Sequence, residues 1–199
     1  MSGAFDKRYT EYQADRSGLR KLVRRAYLRS ARAKLSGPTL DFGCGIGELL
    51  GTLPVGSMGL EYNQATVAHC RGNGLDVAWY DGFEDDWSLS VLDGGRRFQS
   101  MVISHVLEHL EAPMPILQRL LAASERLSIE RALVVVPGRA GFRIDETHRT
   151  FVDLEILSEP GVVEGTGFRL AKSSYFPLDL RPVGDWFPHH ELQALFVRR

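Results

Sequence analysis

The sequence has few thiols: two cysteines, Cys44 and Cys70, in 199 residues, and neither belongs to a C-x-x-C pair. With an N-terminus, MSGAFDKRYTEY, that lacks the apolar core of a secretory signal, this scarcity argues against an oxidising destination and gives a cytoplasmic protein as the expectation. Excess charge is absent too. Twenty-four Lys and Arg against 25 Asp and Glu leave a formal net charge of −1, so no global field calls for a polyanionic partner. No apolar run approaches the roughly 18 residues that a bilayer crossing needs, so no membrane span is expected. Internal repeats, low-complexity tracts and long linkers are missing as well. A chain of this length that is 44% hydrophobic is therefore read as one domain over residues 1–199 around one core.

What is present begins with a basic amphipathic segment, read as helix over residues 1–36. Leu19, Leu22, Val23, Ala26 and Tyr27 recur at three- and four-residue steps, and Arg20, Lys21, Arg24, Arg25, Arg29 and Arg32 take the other face. Such a face is usually solvated, but it would also suit an acidic substrate or a nucleic-acid backbone. From Pro38 onward, short apolar runs alternate with helix-length polar stretches, the pattern of a parallel sheet with crossover helices. Strands are expected at Thr39–Phe42, Ser57–Glu61, Val77–Tyr80, Phe98–Ser104 and Ala132–Pro137, with a helix over Pro115–Leu127. Met101-Val102-Ile103 and Leu133-Val134-Val135-Val136 do not alternate with polar residues, as central strands covered on both faces should not. Phe168–Phe176 and Leu192–Arg198, with Pro177, Pro182, Gly184 and Pro188 between them, read as two antiparallel edge strands joined by a loop.

The first strand runs into Asp41-Phe42-Gly43-Cys44-Gly45-Ile46-Gly47-Glu48 and then, by expectation, into a short helix. Closely spaced glycines tolerate positive φ and let a ligand approach backbone N–H groups with no Cβ in the way. Glu61 follows at the end of the second strand, where a carboxylate accepts from ribose hydroxyls in sheets of this type. The pair points to a nucleoside-containing cofactor. The dinucleotide fingerprint G-x-G-x-x-G would need glycine or alanine where Glu48 stands, and an acid there would repel a pyrophosphate, so a cofactor without phosphates is favoured over a nicotinamide.

Asp41, Gly43, Gly45 and Gly47 spell D-x-G-x-G-x-G, and with the order of strands and helices the chain resembles the class I S-adenosylmethionine-dependent methyltransferases. The resemblance implies a Rossmann-like α/β fold: a seven-stranded, mostly parallel sheet with helices on both faces and its last strand antiparallel. It implies S-adenosylmethionine as cofactor, with Asp41 and the turn Gly43, Cys44, Gly45 and Gly47 at the amino acid moiety and Glu61 at the ribose. Tyr62 and Asn63 would lie beside the adenosine, and in the third-strand motif Asp81-Gly82-Phe83 Asp81 would accept from the adenine amino group and Phe83 would flank the ring. Ser104 and His105, at the fourth strand's tip, would stand near the sulfonium.

Ser104-His105-Val106-Leu107-Glu108-His109-Leu110 also spells the zinc pattern H-x-x-E-H, but that motif needs both histidines on one helix, and His105 directly follows a buried strand. Many class I methyltransferases carry a similar stretch ending in Glu-His-Leu. The small-RNA 3′-terminal 2′-O-methyltransferases use a similar Glu-x-x-Glu-His stretch and a later histidine to bind a metal. Here His105 replaces the first glutamate and His148 would be the later histidine. No bound metal is expected on the leading reading.

After the fifth strand, residues 138–151 form a loop dense in ionisable groups at the carboxyl end of the sheet, where open α/β folds place reactants. His148 is the candidate base, because imidazole titrates near neutrality, and Asp145 could orient it or act instead. Arg139, Arg143 and Arg149 suit a carboxylate or phosphate on the acceptor. Phe5, Tyr9 and Tyr12 are candidates for a lid. Methyltransferases acting on base amino groups usually show Asn/Asp-Pro-Pro-Tyr after the fourth strand, which Ser104-His105-Val106-Leu107 does not resemble. The expected acceptor is a small molecule or glycan, acidic on the arginine reading, methylated at a hydroxyl. The rivals are RNA ribose 2′-O-methylation, a nicotinamide oxidoreductase and a cofactor-binding module that methylates nothing. Nucleic acid as a partner rests on the basic helix and on the resemblance of the Glu108-His109 stretch.

Overall fold

The computed structural model describes residues 18–92 and 95–199, with side chains in the first helix from residue 25 onward. Helix α1 spans Gly18–Arg32, so the expected helix ends four residues earlier than residue 36, where Gly37 at φ +57° and Pro38 turn the chain. Residues 1–17, which include Phe5, Tyr9 and Tyr12, lie outside the described residues.

The strands are β1 (Thr39–Phe42), β2 (Met58–Glu61), β3 (Val77–Trp79), β4 (Ser100–Ser104), β5 (Arg131–Pro137), β6 (Phe168–Phe176) and β7 (Glu191–Arg198). The helices after α1 are α2 (Gln64–Gly72), α3 (Pro113–Arg126), α4 (Arg139–Arg143), α5 (Leu154–Leu157) and α6 (Pro160–Val163). The sheet order is β3-β2-β1-β4-β5-β7-β6. Pairs among β1 to β5 are parallel, while β7 runs antiparallel to both β5 and β6. The fold is thus the expected Rossmann-like sheet with its last strand antiparallel. One placement differs: β7 is no edge strand but is inserted between β5 and β6, which buries Leu192, Ala194 and Phe196.

Side chains that alternate along a strand divide the core between the two faces. Met101 and Ile103 of β4 pack with Leu117, Leu120 and Leu121 of α3, whereas Val102 meets Tyr27, Leu28 and Ala31 of α1. Each of those buried leucines contributes about 1.5–3 kcal/mol relative to exposure. Among the described residues, no helix is long and apolar enough to cross a membrane.

The strand order reverses between β1 and β4, which opens a crevice at their carboxyl ends. The short helix expected after the glycine turn is absent there: only a 3-10 turn, Leu50–Thr52, forms. Gly51 weakens a helix, and Pro54 pushes Leu53 to extended backbone (ψ 160°), leaving too few residues for an α-helix. Glu48 therefore does not sit in a first helical turn.

Candidate active site

The glycine turn is shaped by contacts as well as by conformational freedom. Gly43, Gly45 and Gly47 have φ of +69°, +54° and +79°. A Cβ on Gly43 would meet Val106 Cγ2 at 2.4 Å, so the bare backbone of the β1 turn is what lets the β4 loop close against it. We expect Gly43→Ala to lose about 2–4 kcal/mol, the sum of a left-handed alanine and an overpacked contact, read as a lower urea midpoint. Gly47 is tight for another reason: its Cβ would strike Leu75 Cδ1 at 2.3 Å, and Gly47 is outside the cavity wall.

Glu61 ties this turn to β2. Its Oε2 accepts from Gly45 N at 2.9 Å and its Oε1 from Asn63 N at 2.8 Å. Burial raises its pKa, and the amides of Asn63 and Gly45 act against that shift by favouring the carboxylate. The Asn63 side chain caps α2 by accepting from Ala65 N and Thr66 N. A cavity of about 770 Å³ opens over this corner, lined by Asp41, Gly43, Cys44, Gly45, Glu61, Tyr62, Asn63, Gly82 and Phe83. The rings of Tyr62 and Phe83 are largely exposed there, and Phe83 meets Trp87 edge-on at 5.0 Å. Asp81 is not among the described lining residues, and its Oδ1 accepts from Phe83 N and Glu84 N, so it shapes the turn that carries Phe83.

The far side of the same cavity is polar. Ser104 lines it and shares a short hydroxyl contact with Tyr27 of α1. His105 stands at φ +56°, a strained conformation for a non-glycine residue, which aims its ring between two acids: Nδ1 meets Glu108 Oε1 and Nε2 meets Glu191 Oε1, both at 3.0 Å. Burial opposes charging of that ring, but Glu191 and Glu108 outweigh it and raise its pKa to about 10.

Glu108 and His109 lie in a 3-10 turn, Leu107–His109, and not in a helix, which first begins at Pro113. Glu108 is fully buried, and its Oε2 has no hydrogen-bond partner. The loop after β5 folds back over this turn through Arg149 N, which donates to Glu108 O at 2.7 Å. That return brings in His148, whose ring stacks on Phe142 (5.3 Å) and whose Nδ1 donates to Phe142 O at 2.9 Å. Its Nε2 lies 3.8 Å from Asp145 Oδ2 and 4.0 Å from Glu108 Oε1. Asp145 Oδ1 accepts from Thr147 Oγ1 at 2.6 Å, which leaves that hydroxyl oxygen to accept from His109 Nδ1 at 3.1 Å. Burial pushes the His109 pKa down, toward the neutral ring. Ligand atoms of Glu108, His109 and His148 all lie within 4.8 Å of one another.

Other expected substrate residues are placed apart. Arg143 and Arg149 are not among the described lining residues, and Arg139 turns away to Asp185 (3.4 Å) and the ring of Phe151 in a second cavity of about 350 Å³. Helix α5 begins at Leu154, capped by Asp153. Sequence reasoning missed Glu191, Tyr27 and His189, which also line the main cavity. Glu191 reaches it because β7 starts beside the end of β5, with Glu191 opposite Pro137.

A family model described as a methyltransferase domain matches residues 11–136, more than half of the chain. The chain belongs to that family. It is an S-adenosylmethionine-dependent methyltransferase, which removes the nicotinamide oxidoreductase from consideration. Solved structures share the methyltransferase fold. An S-adenosylmethionine-dependent methyltransferase from Archaeoglobus fulgidus is 22% identical with a TM-score of 0.68, covering 97% of this chain and 100% of that one. Magnesium protoporphyrin IX methyltransferase from Synechocystis, with bound S-adenosylhomocysteine, is 12% identical with a TM-score of 0.64, covering 100% and 98%. The small RNA methyltransferase HEN1 is 18% identical with a TM-score of 0.61, covering 90% of this chain and 25% of that one. No curated protein matches the sequence of this methyltransferase.

Proposed function

We propose that this methyltransferase methylates a hydroxyl group on a small-molecule or glycan acceptor, with His148 taking the proton and Asp145 beside it. The observation that carries this reading is the orientation of His148. Its Nδ1 is bound to Phe142 O, which places Nε2 on the side that holds Asp145, in the wall of the cavity that contains the glycine turn. S-adenosylmethionine supplies a methyl carbon already activated by its sulfonium, so the chain's residues need only align the nucleophile and accept its proton. The residues fit that cofactor: the turn presents bare backbone at Gly43 and Gly45, and Glu61 is a carboxylate pre-aligned by two amides. Asp41, Gly43, Cys44 and Gly45 would hold the amino acid end, Glu61 the ribose, and Tyr62, Asn63, Gly82 and Phe83 the adenosine, with Ser104 and His105 at the sulfonium. Gly47 and Asp81 shape the backbone behind them. The reading is tested by isotopic methyl transfer to matched acceptors bearing a hydroxyl, an amine or a carboxylate. A base-stable ether product is expected, and label found only on nitrogen or on a base-labile ester would sink the proposal.

A second reading is favoured by one observation, the cluster of Glu108, His109 and His148. Two imidazoles and a carboxylate form a donor set that suits divalent first-row metals, and each imidazole has its other nitrogen bonded to a protein oxygen, as ligating histidines do. A divalent ion there would be held by these three residues and would acidify an acceptor hydroxyl, including a ribose hydroxyl at an RNA end. Cobalt(II) titration is expected to develop d–d absorption that His109→Ala abolishes while adenosylhomocysteine affinity stays unchanged. An unchanged spectrum at millimolar cobalt would leave His148 as a metal-free base.

A further inference from the structure

The chain's two cysteines meet beneath the glycine turn. Cys44 belongs to the turn and lines the main cavity, whereas Cys70 is fully buried on the last turn of α2. Both thiols lie within donating reach of one oxygen, Gly45 O, at 3.6 and 3.3 Å, and the single Cys44 proton can be given to Cys70 instead. Neighbouring glycines make the room. A Cβ on Gly59 would lie 2.5 Å from Cys44 Sγ, and one on Gly47 would lie 3.5 Å from Cys70 Sγ. Both sulfurs therefore occupy a single compartment directly behind the backbone that the proposed cofactor site uses.

The two thiols are also chemically unequal. The bond to Cys70 pushes the Cys44 pKa up, and burial and the carboxylates of Asp41 and Glu61 push it further. The same bond pulls Cys70 down, although burial opposes it.

We propose that Cys44 and Cys70 form a reversible disulfide under peroxide, and that this cross-link weakens cofactor binding. One thiol of the pair, as its thiolate, attacks one oxygen of hydrogen peroxide and breaks the O–O bond, giving a sulfenic acid and a hydroxide that is protonated to water. The sulfur of the other thiol then attacks the sulfenic sulfur, and its proton leaves with the hydroxyl group as a second water. Two thiols and one peroxide give one disulfide and two waters, and the two electrons lost by sulfur reduce the peroxide. A disulfide needs its sulfurs about 2.0 Å apart, so Cys44 must be drawn toward α2. Gly45 O loses both thiol donors, and the segment whose amides hold Leu60 O and Glu61 shifts with Cys44. The weakened binding rests on the cofactor reading above, whereas the cross-link does not.

The test treats the wild type and Cys70→Ser with hydrogen peroxide and follows intact mass without reductant alongside calorimetric titration of adenosylhomocysteine. The serine keeps a donor for Gly45 O but cannot cross-link. The wild type is expected to lose about 2 Da and to bind at least about tenfold more weakly, with both changes reversed by a dithiol and the mass loss slowed when adenosylhomocysteine is present. Cys70→Ser is expected to bind like the reduced wild type and to keep that affinity after peroxide. Thiols that stay uncoupled, or a cross-linked protein that binds as tightly as the reduced one, would overturn the proposal. A reduced wild type that fails to bind adenosylhomocysteine would overturn the cofactor site and the switch together, and is told apart because the 2 Da loss is still read by mass.

Discussion

Replacing His148 by alanine is expected to slow methyl transfer to a hydroxyl acceptor by about 10²–10⁴-fold, the usual loss when a general base is removed. Adenosylhomocysteine affinity should stay as it was, because His148 stands on the β5 loop and none of its hydrogen bonds reaches the glycine turn. A purely structural histidine would behave differently. Losing its stacking on Phe142 costs about 0.5–1.5 kcal/mol of stability, which lowers the unfolding midpoint but leaves the folded enzyme's turnover intact. Turnover per folded molecule, measured well below the midpoint, separates the two. His148→Gln adds a control, since its amide can still donate to Phe142 O but cannot take up a proton.

The second large effect belongs to Glu61→Ala, which should weaken cofactor binding by about 100-fold or more by calorimetry. Glu61 is placed to act twice. Its carboxylate accepts from Gly45 N and Asn63 N, fixing the turn against the start of α2, and it faces the cavity where a ribose would present two hydroxyls. Hydrogen bonds to a charged group contribute about 1.5–3 kcal/mol each, so losing two of them already reaches that factor. Glu61→Gln keeps the shape and should fall between the two, because its amide offers only one acceptor oxygen. Wild-type affinity in the alanine variant would place the nucleoside elsewhere.

These effects fall unevenly on what could be read from the residues. The central strands were legible because Met101 to Ile103 and Leu133 to Val136 are unbroken apolar runs, and the structure buries them completely. The glycine turn was legible because Gly43 and Gly45 do what only glycine does cheaply. The missing helix after it was harder, since Glu48-Leu49-Leu50 favours helix locally and the interruption comes from Gly51 and Pro54 downstream. The place of β7 is a tertiary fact: Leu192 to Arg198 reads as a strand, but nothing local says that it enters between β5 and β6. Glu191 was missed for that reason, and Tyr27 because its periodicity marked it only as a core-facing residue of α1. Asp81 was read as an adenine contact, and its Oδ1 also accepts from the amides of its own turn. The neighbourhood of Glu108 and His148 depends on the loop folding back through Arg149 N, which spacing alone does not encode.

A crystal structure of the protein grown with adenosylhomocysteine tests the central claim most directly. The homocysteine tail is expected against the backbone of Gly43 to Gly45, both ribose hydroxyls on the Glu61 carboxylate, and the sulfur facing the wall that holds His105 and His148. Density for the nucleoside away from Glu61, or a glycine turn that stays empty while the ligand binds in another cavity, would contradict it.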